Sequence, residues 1–319
     1  MAAVDRNQPK RGKPGATDSR YSLMEFVREC PDDAACLDML WRERYASDGH
    51  HAVCPKCERE RKFHRIKSRP AYSCDSCGHS LYPLAGTIFH KSSTSLHLWF
   101  YAIYIMASTR CGVSAKHLER ELGVTYKTAW RMFNLIRNKL MTEDKRPLTG
   151  YVEVDETSVD GRPRTKYRMS QDPDARFKAM QLRERSRATV FAAVERGGRI
   201  KATVVPSRRG THLHKQVVEW VKPESIIYTD EWPAYNQLGG HFAGHGRVRH
   251  STGEYVMGDV HTNTVEGFFG NLKTGIRGNY KKVSHKWLQG YLNEFTWRYN
   301  HRNDGRSMFH LLVSRAAQV

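Results

Sequence analysis

The sequence has no run of the roughly 18–20 apolar residues that a bilayer-crossing helix requires. Its most apolar stretch, Leu96 to Ala107, is short and interrupted by His97, which reads as a buried helix. The N-terminus lacks the apolar segment of a secretory signal: Met1 to Arg20 mixes Lys, Arg, Pro, Gly and Asp. It reads instead as a short disordered basic arm, and a cytoplasmic location with reduced thiols is expected. No internal repeat is evident. Acidic side chains are scarce as well: 33 Asp and Glu face 52 Lys and Arg, for a formal charge of +19 and a pI near 9.7. Such an excess attracts polyanions, so nucleic acid leads an acidic membrane surface as the partner, and association with the nucleoid is expected.

What is present is the composition of a folded protein. Hydrophobic residues make up 39% of 319 positions, with 12 Phe, 15 Tyr and 7 Trp, enough for two or three domains. From Ser22 to Ala46 an apolar pattern (Leu23, Phe26, Val27, then Cys36, Leu37, Leu40, Trp41) predicts two short helices around Pro31. Helical periodicity returns over 95–141, and Pro147 and Gly150 mark a change of pattern. Beyond them Tyr151 to Asp155 alternates like a strand. Ala188 to Val194 and Arg199 to Val205 form a predicted hairpin around Arg196-Gly197-Gly198. Thr211 caps a predicted helix ending near Val221, Ser225 to Asp230 is a short apolar run, and 262–274 and 284–300 read as helices. A hairpin meander followed by alternating helices and strands points to a mixed α/β domain on an RNase H-like core.

Four of the seven cysteines fall into Cys54-Pro-Lys-Cys57 and Cys74-Asp-Ser-Cys77, with 16 residues between the pairs. Two such knuckles complete a tetrahedral Zn²⁺ site, structural because sulfur fills all four positions. Phe63, Ile66 and Tyr72 supply strand residues for a zinc ribbon. Cys30, Cys36 and Cys111 lack such spacing and read as core thiols.

Ser114 to Trp130 has the form of a helix-turn-helix. Val113, Leu118 and Leu122 make an inner face, Gly123 allows the turn, and Thr125 caps a second helix. The start of that helix offers Thr125, Tyr126, Lys127 and Thr128, with Arg131 a turn later, for phosphates and base edges. An ordinary helical pair in a core is the plainer alternative.

Three acids stand out by position. Asp155 and Asp230 each end a predicted strand, 75 residues apart, and Glu266 follows 36 residues later on a predicted helix. Carboxylates so placed can converge on hard divalent cations, Mg²⁺ or Mn²⁺. Two such ions would activate an attacking oxygen and stabilise the leaving 3′ oxygen of a phosphodiester. Lys273 lies seven residues beyond Glu266 and Asn263 three before it, so all three share one helix face.

The chain resembles the zinc-ribbon DDE transposases of bacterial insertion sequences, the ISXO-like group. The resemblance rests on the two cysteine knuckles, Val152-Glu-Val-Asp155-Glu-Thr, Tyr228-Thr-Asp230-Glu-Trp-Pro-Ala-Tyr235, and His261-Thr-Asn-Thr-Val-Glu266-Gly-Phe-Phe through Lys273. Gly275-Ile-Arg-Gly-Asn-Tyr280 and Phe295 to Arg302 fit as well, so the likeness covers about residues 30–312. It implies an RNase H-like catalytic fold, Asp155 and Asp230 as metal ligands, and Lys273, with Arg277 nearby, as DNA contacts. In this group Asn or His can stand at the third position, so Glu266, Asn263 and His261 all remain open for it.

The expected organisation is a disordered basic arm at 1–20, N-terminal helices with a zinc ribbon at 21–93, a helix-turn-helix region at 94–145 and the catalytic domain at 150–312. The nine Lys/Arg and three acids between Gly161 and Arg187 read either as a solvated loop or as a DNA clamp. The aromatic stripe over 284–300 reads as core. The expected activity is that of a transposase that binds the terminal repeats of its element on double-stranded DNA. It would hydrolyse a phosphodiester and transfer the strand, working at least as a homodimer. The rival readings are an RNase H-like nuclease or junction resolvase, and a non-catalytic zinc-ribbon regulator.

Overall fold

The computed structural model describes residues 21–142, 145–160, 172–177, 181, 187–236, 238–248 and 261–318. The basic arm at 1–20 and most of the basic stretch 161–187 lie outside the described residues. The chain divides into two compact units, one running through Ser108 and joined by His301–Gln318, the other Thr109–Asn300. The stretch 94–145 is thus shared between the units, and 301–312 folds with the first.

In the first unit, α1 (Leu23–Glu29) opens with a reciprocal cap between Ser22 and Glu25. Pro31 separates it from α2 (Asp33–Arg44), whose N-terminus Asp32 caps at the Ala35 amide. Four short strands follow: β1 (His51–Cys54), β2 (Arg59–Ile66), β3 (Ala71–Cys74) and β4 (Ser80–Leu81), antiparallel in sequence order. So small a sheet buries little by itself. Trp41 of α2 supplies the missing core, stacking on Tyr72 at 4.1 Å and packing on Phe63 at 5.4 Å, with its indole N–H donated to the Gly49 carbonyl. Next comes α3 (Leu96–Ser108), which buries Trp99, Phe100, Ile103 and Met106.

The second unit opens with α4 (Ala115–Leu122) and α5 (Tyr126–Leu135). Gly123 stands between them at φ +63°, a left-handed conformation that a side chain would strain. Thr125 caps α5 at the Thr128 amide, and a π-turn, Ile136–Leu140, extends its end.

A five-stranded mixed sheet follows: β5 (Tyr151–Asp160), β6 (Arg187–Glu195), β7 (Ile200–Val205), β8 (Ile226–Thr229) and β9 (Gly244–Arg247). Its order is β7-β6-β5-β8-β9, with β5, β6 and β7 antiparallel and β8 and β9 parallel to β5. The crossover helix α6 (Gly210–Trp220) packs Leu213 and Val217 onto Val152, Val154, Phe191 and Val205. Strand alternation sends Glu153 and Asp155 to the opposite face, where α7 (Asn263–Gly275) lies. A π-turn, Ile276–Tyr280, continues α7, and α8 (Leu288–Asn300) follows. On α8, Gln289 and Asn300 hydrogen bond the backbone of β7 at Val204 and Ile200, covering that sheet edge.

Three charges are buried between α5 and α8. Glu294 is fully enclosed, pairs with Arg137 at 3.1 Å and Arg298 at 2.8 Å, and accepts the Tyr280 hydroxyl at 2.9 Å. The Arg137 guanidinium also stacks on the Tyr291 ring at 3.3 Å. Such a group holds only when each charge is answered, so removing one partner would cost about 3–5 kcal/mol. The chain closes with α9 (Met308–Gln318) in the first unit, where Phe309 meets Phe26 at 5.6 Å and Phe100 at 6.1 Å.

Candidate active site

The pairing register brings the two aspartates level. Tyr151, Val152 and Glu153 pair with Ile226, Ile227 and Tyr228, and the same offset carried two residues on sets Asp155 beside Asp230. Asp230 directly follows the C-terminal end of β8, whereas Asp155 lies midway along β5, beside that end. Asp230 ends its strand by a local turn, its carboxylate accepting the Trp232 amide at 3.0 Å.

The third acid arrives through an anchor on the same strand as the first. Glu153, buried on the face that carries Asp155, accepts the amides of Thr264 and Val265 at 2.8 and 3.2 Å. It therefore caps α7 from another element, where Thr262 makes no side-chain cap. Arg196 pairs with it at 2.8 Å, and the His261 ring lies 3.2 Å away. Glu266 projects from the first turn of the helix so fixed, its carboxylate accepting the Thr262 hydroxyl at 2.8 Å.

The electrostatics record the convergence. Burial first, then the charges of Glu156, Asp230 and Glu266, push the Asp155 carboxyl up to about 8, against a single favourable bond from the Glu156 amide. Of the three contenders for the third position, His261 lies 3.2 Å from Glu153, Asn263 and Glu266 are both exposed on the first turn of α7, and the charge of Glu266 is felt at Asp155. The three acids do not draw tightly together. Among the described residues, the cysteine quartet is the one group of three or more metal-type ligands with its ligand atoms all within 4.8 Å of each other. Lys273 is half-buried two turns along α7, and Arg277 is exposed in the π-turn beyond.

Glu156 and Arg208 escape a reading of the sequence. Glu156 points to the α6 face, is 5% exposed, and receives the Tyr235 hydroxyl and the Arg208 guanidinium, the latter through Nε at 2.9 Å. Arg208 also lies over the ring of Trp232, at 4.8 Å, and its charge is favoured by Asp155 and Asp230. The one visible signal is the position of Glu156 in the strand alternation, on the same face as the apolar Val152 and Val154.

In the first unit the thiols form the expected cluster. The sulfurs of Cys54 and Cys77 are 3.6 Å apart and those of Cys57 and Cys74 4.0 Å. A tetrahedron of Zn–S bonds near 2.3 Å has edges of about 3.8 Å, so the four sulfurs fit zinc. Burial resists ionisation there, yet the amides of Cys57 and Lys56 and the neighbouring thiols bring Cys54 down to about 7. A thiolate is what binding the cation requires.

At the start of α5, Tyr126, Lys127 and Arg131 are exposed, while the Thr125 and Thr128 hydroxyls bond each other at 3.1 Å. Tyr126 stacks over Trp130 with ring centres 6.3 Å apart. The charges of Asp230 and Glu266 are thus felt at Asp155, and Tyr126, Lys127 and Arg131 of α5 stand exposed to solvent.

Comparison with known proteins agrees with both units. The family profile of a transposase zinc-ribbon domain matches residues 31–80, and that of an ISXO2-like transposase domain matches 147–300. A protein of the transposable element ISH50 from Halobacterium salinarum is 29% identical over 287 residues, 86% of this chain and 92% of that protein. A transposase-like protein of Haemophilus influenzae is 28% identical over 102 residues, 32% of this chain and 81% of its own length. No helix among the described residues is long and apolar enough to cross a membrane. With its zinc ribbon and its transposase domain both matched, well over half of its length, the chain belongs to the zinc-ribbon, ISXO2-like transposases.

Proposed function

We propose that this transposase binds the terminal repeats of its element and cuts and joins DNA at the Asp155–Asp230–Glu266 cluster, on an RNase H-like core. The observation that carries the reading is the Asp155 carboxyl, raised to about 8 by burial and by three neighbouring acids. A carboxylate crowded by three others is costly to ionise unless cations answer them; Arg208 supplies one positive charge, and hard oxygen donors suit Mg²⁺ or Mn²⁺ for the rest. Two such ions, when bound, would activate the attacking oxygen and stabilise the leaving one. The chain's own residues do the rest. Glu153 holds the helix that brings Glu266 to the site, and Asn263 and Lys273 share that helix. Lys273 meets the phosphate, and Arg277 extends the contact along the DNA. Water attacks first and frees a 3′-OH, which then attacks the target strand at the same cluster. No covalent protein–DNA bond forms.

In this reading α4 and α5 make a helix-turn-helix. Thr125, Tyr126, Lys127, Thr128 and Arg131 face the DNA, the hydroxyls of Thr125 and Thr128 turning from each other to phosphate. Two DNA ends must be paired, so the working form is at least a dimer. The test compares wild type with Asp155→Asn on DNA carrying the sequences that flank the gene, with and without Mg²⁺ or Mn²⁺. Cleavage at a repeat boundary, leaving a 3′-OH and lost in the variant, is expected. Equal cleavage by both proteins overturns the assignment, and cutting that follows DNA shape instead of the repeats points to a nuclease or resolvase.

A further inference from the structure

We propose that the tip of the zinc-ribbon hairpin is a second DNA contact, a cleft that takes the phosphodiester backbone without reading bases. The inference rests on the transposase reading but concerns residues to which that reading gives no part. Between β2 and β3, the turn at Lys67–Pro70 and the segment Ser92–Ser95 enclose a cleft of about 410 Å³ in the first unit. That is room for a nucleotide-sized group and not merely an ion.

The two walls are chemically unlike. Arg65, Lys67 and Arg69 line one side and are exposed. Two of these cations are held in place: Arg65 donates to the Ala34 carbonyl at 3.0 Å, and Arg69 donates to the Ser80 hydroxyl at 3.1 Å and lies over the Tyr82 ring. Lys67 makes no ion pair among the described residues. Opposite them runs a row of hydroxyl side chains with Ser93 exposed at its middle, and Leu37, Leu84, Phe89 and Trp99 line the rest. That run is itself fixed, because the Trp99 indole N–H donates to Ser92 at 2.9 Å and Ser95 donates to Asp33.

Charge decides the occupant. Among the residues lining the cleft, Asp33 is the sole acid, and it is engaged already: its carboxylate accepts the Ser95 hydroxyl at 2.5 Å and the His97 amide at 2.7 Å, capping α3. Three cations and several hydroxyls therefore share the cleft with a single carboxylate, which leaves an excess of two positive charges. An anion with several acceptor oxygens satisfies both walls, and on a DNA-processing chain the backbone phosphates of duplex DNA supply it. Contacts from Arg, Lys and hydroxyl groups to backbone phosphate carry no sequence information, so the contact is indifferent to sequence.

The test is the salt dependence of binding by the full-length, zinc-loaded protein to two duplexes, one carrying the flanking terminal sequence and one scrambled. Each phosphate contact contributes about 0.9 to the slope of log affinity against log salt. The combined variant Arg65→Gln, Lys67→Gln, Arg69→Gln should flatten the slope by about 2 to 3, equally on both duplexes. Its zinc content should remain that of the wild type. Ser93→Lys adds a cation to the opposite wall and should steepen the slope by about 1, a gain that misfolding cannot imitate. Wild-type slopes in both variants, or a change confined to the terminal sequence, overturn the proposal and leave the functional reading standing. If the wild type itself binds neither duplex, or binds only RNA, the functional reading falls as well.

Discussion

Cys54, Cys57, Cys74 and Cys77 reach one another from two turns of one small antiparallel sheet, whereas Asp155, Asp230 and Glu266 come from two strands and a helix. The thiols close to within 4.8 Å and offer a soft ion every donor it needs. The acids stay farther apart, burial and then the charges of Glu156, Asp230 and Glu266 raise Asp155 to about 8, and an exposed Trp232 and a half-exposed Arg208 stand nearby. A closed set of ligands serves folding. An open set, held under electrostatic tension by a rigid scaffold, leaves room for a substrate. The difference teaches that the two clusters should fail differently when a ligand is lost.

The largest effect is expected at the closed cluster. Structural zinc contributes about 10–16 kcal/mol of apparent binding energy in small zinc domains, and that energy is folding energy. Cys57→Ser should lose the ion and open the sheet to protease, read by metal analysis and limited proteolysis. A variant that keeps one zinc per chain and its protease resistance breaks the contrast. At the open cluster Asp230→Ala should leave fold and DNA affinity near wild type while cleavage falls on the order of 10³-fold or more. Residual cleavage within tenfold of wild type removes Asp230 from the site.

A smaller effect separates the clusters by pH. Because Asp155 is raised above the usual carboxylate range, the metal-free protein keeps a proton there that the unfolded chain has lost. Its contribution to stability is full below about pH 4 and is lost as pH rises through about 8. In the zinc-loaded protein without added Mg²⁺ or Mn²⁺, the melting temperature of the wild type should therefore fall over that window, and Asp155→Asn should flatten the fall. Added Mg²⁺ should remove most of it from the wild type and leave the variant unchanged. A melting temperature insensitive to both pH and Mg²⁺ contradicts the tension described. The smallest change is expected from Glu156→Gln, which deletes one of the charges acting on Asp155. The midpoint of the pH-dependent fall should move downward, with Mg²⁺ affinity only a few-fold weaker, as titration calorimetry would record.

The same contrast explains what could be read without coordinates. The knuckles were legible because each pair of ligands is three residues apart, and short spacing survives any tertiary arrangement. The helix read at 262–274 is Asn263–Gly275, and the run read at Ser225–Asp230 holds the strand Ile226–Thr229, since local periodicity decides both. The first strand was read only to Asp155 but continues to Asp160. Glu156, Thr157 and Ser158 look too polar for a buried strand until Arg208 and Tyr235, distant in sequence, are seen to neutralise the first. Glu153 as the cap of α7 was hidden for the same reason, being separated by 111 positions from Thr264. The stripe packs inward at Leu288, Tyr291, Leu292 and Phe295 while Trp287 stays exposed ahead of α8, and the Glu294 and Arg298 buried beside it could not be foreseen without Arg137. Local chemistry could be read directly, and compensation across the sheet could not.

The first unit is built from two separated lengths of chain, and the order of synthesis gives that arrangement a consequence. Helix α9, which covers Phe26 and Phe100 with Phe309, follows the whole of the second unit. At about 5–20 residues per second, a ribosome takes on the order of ten to forty seconds to make that intervening unit. Throughout that interval the nascent first unit carries an aromatic surface that only later sequence can cover. The finished core thus keeps time with translation, and a chain released before α9 emerges should be recognised by chaperones and proteases as incomplete.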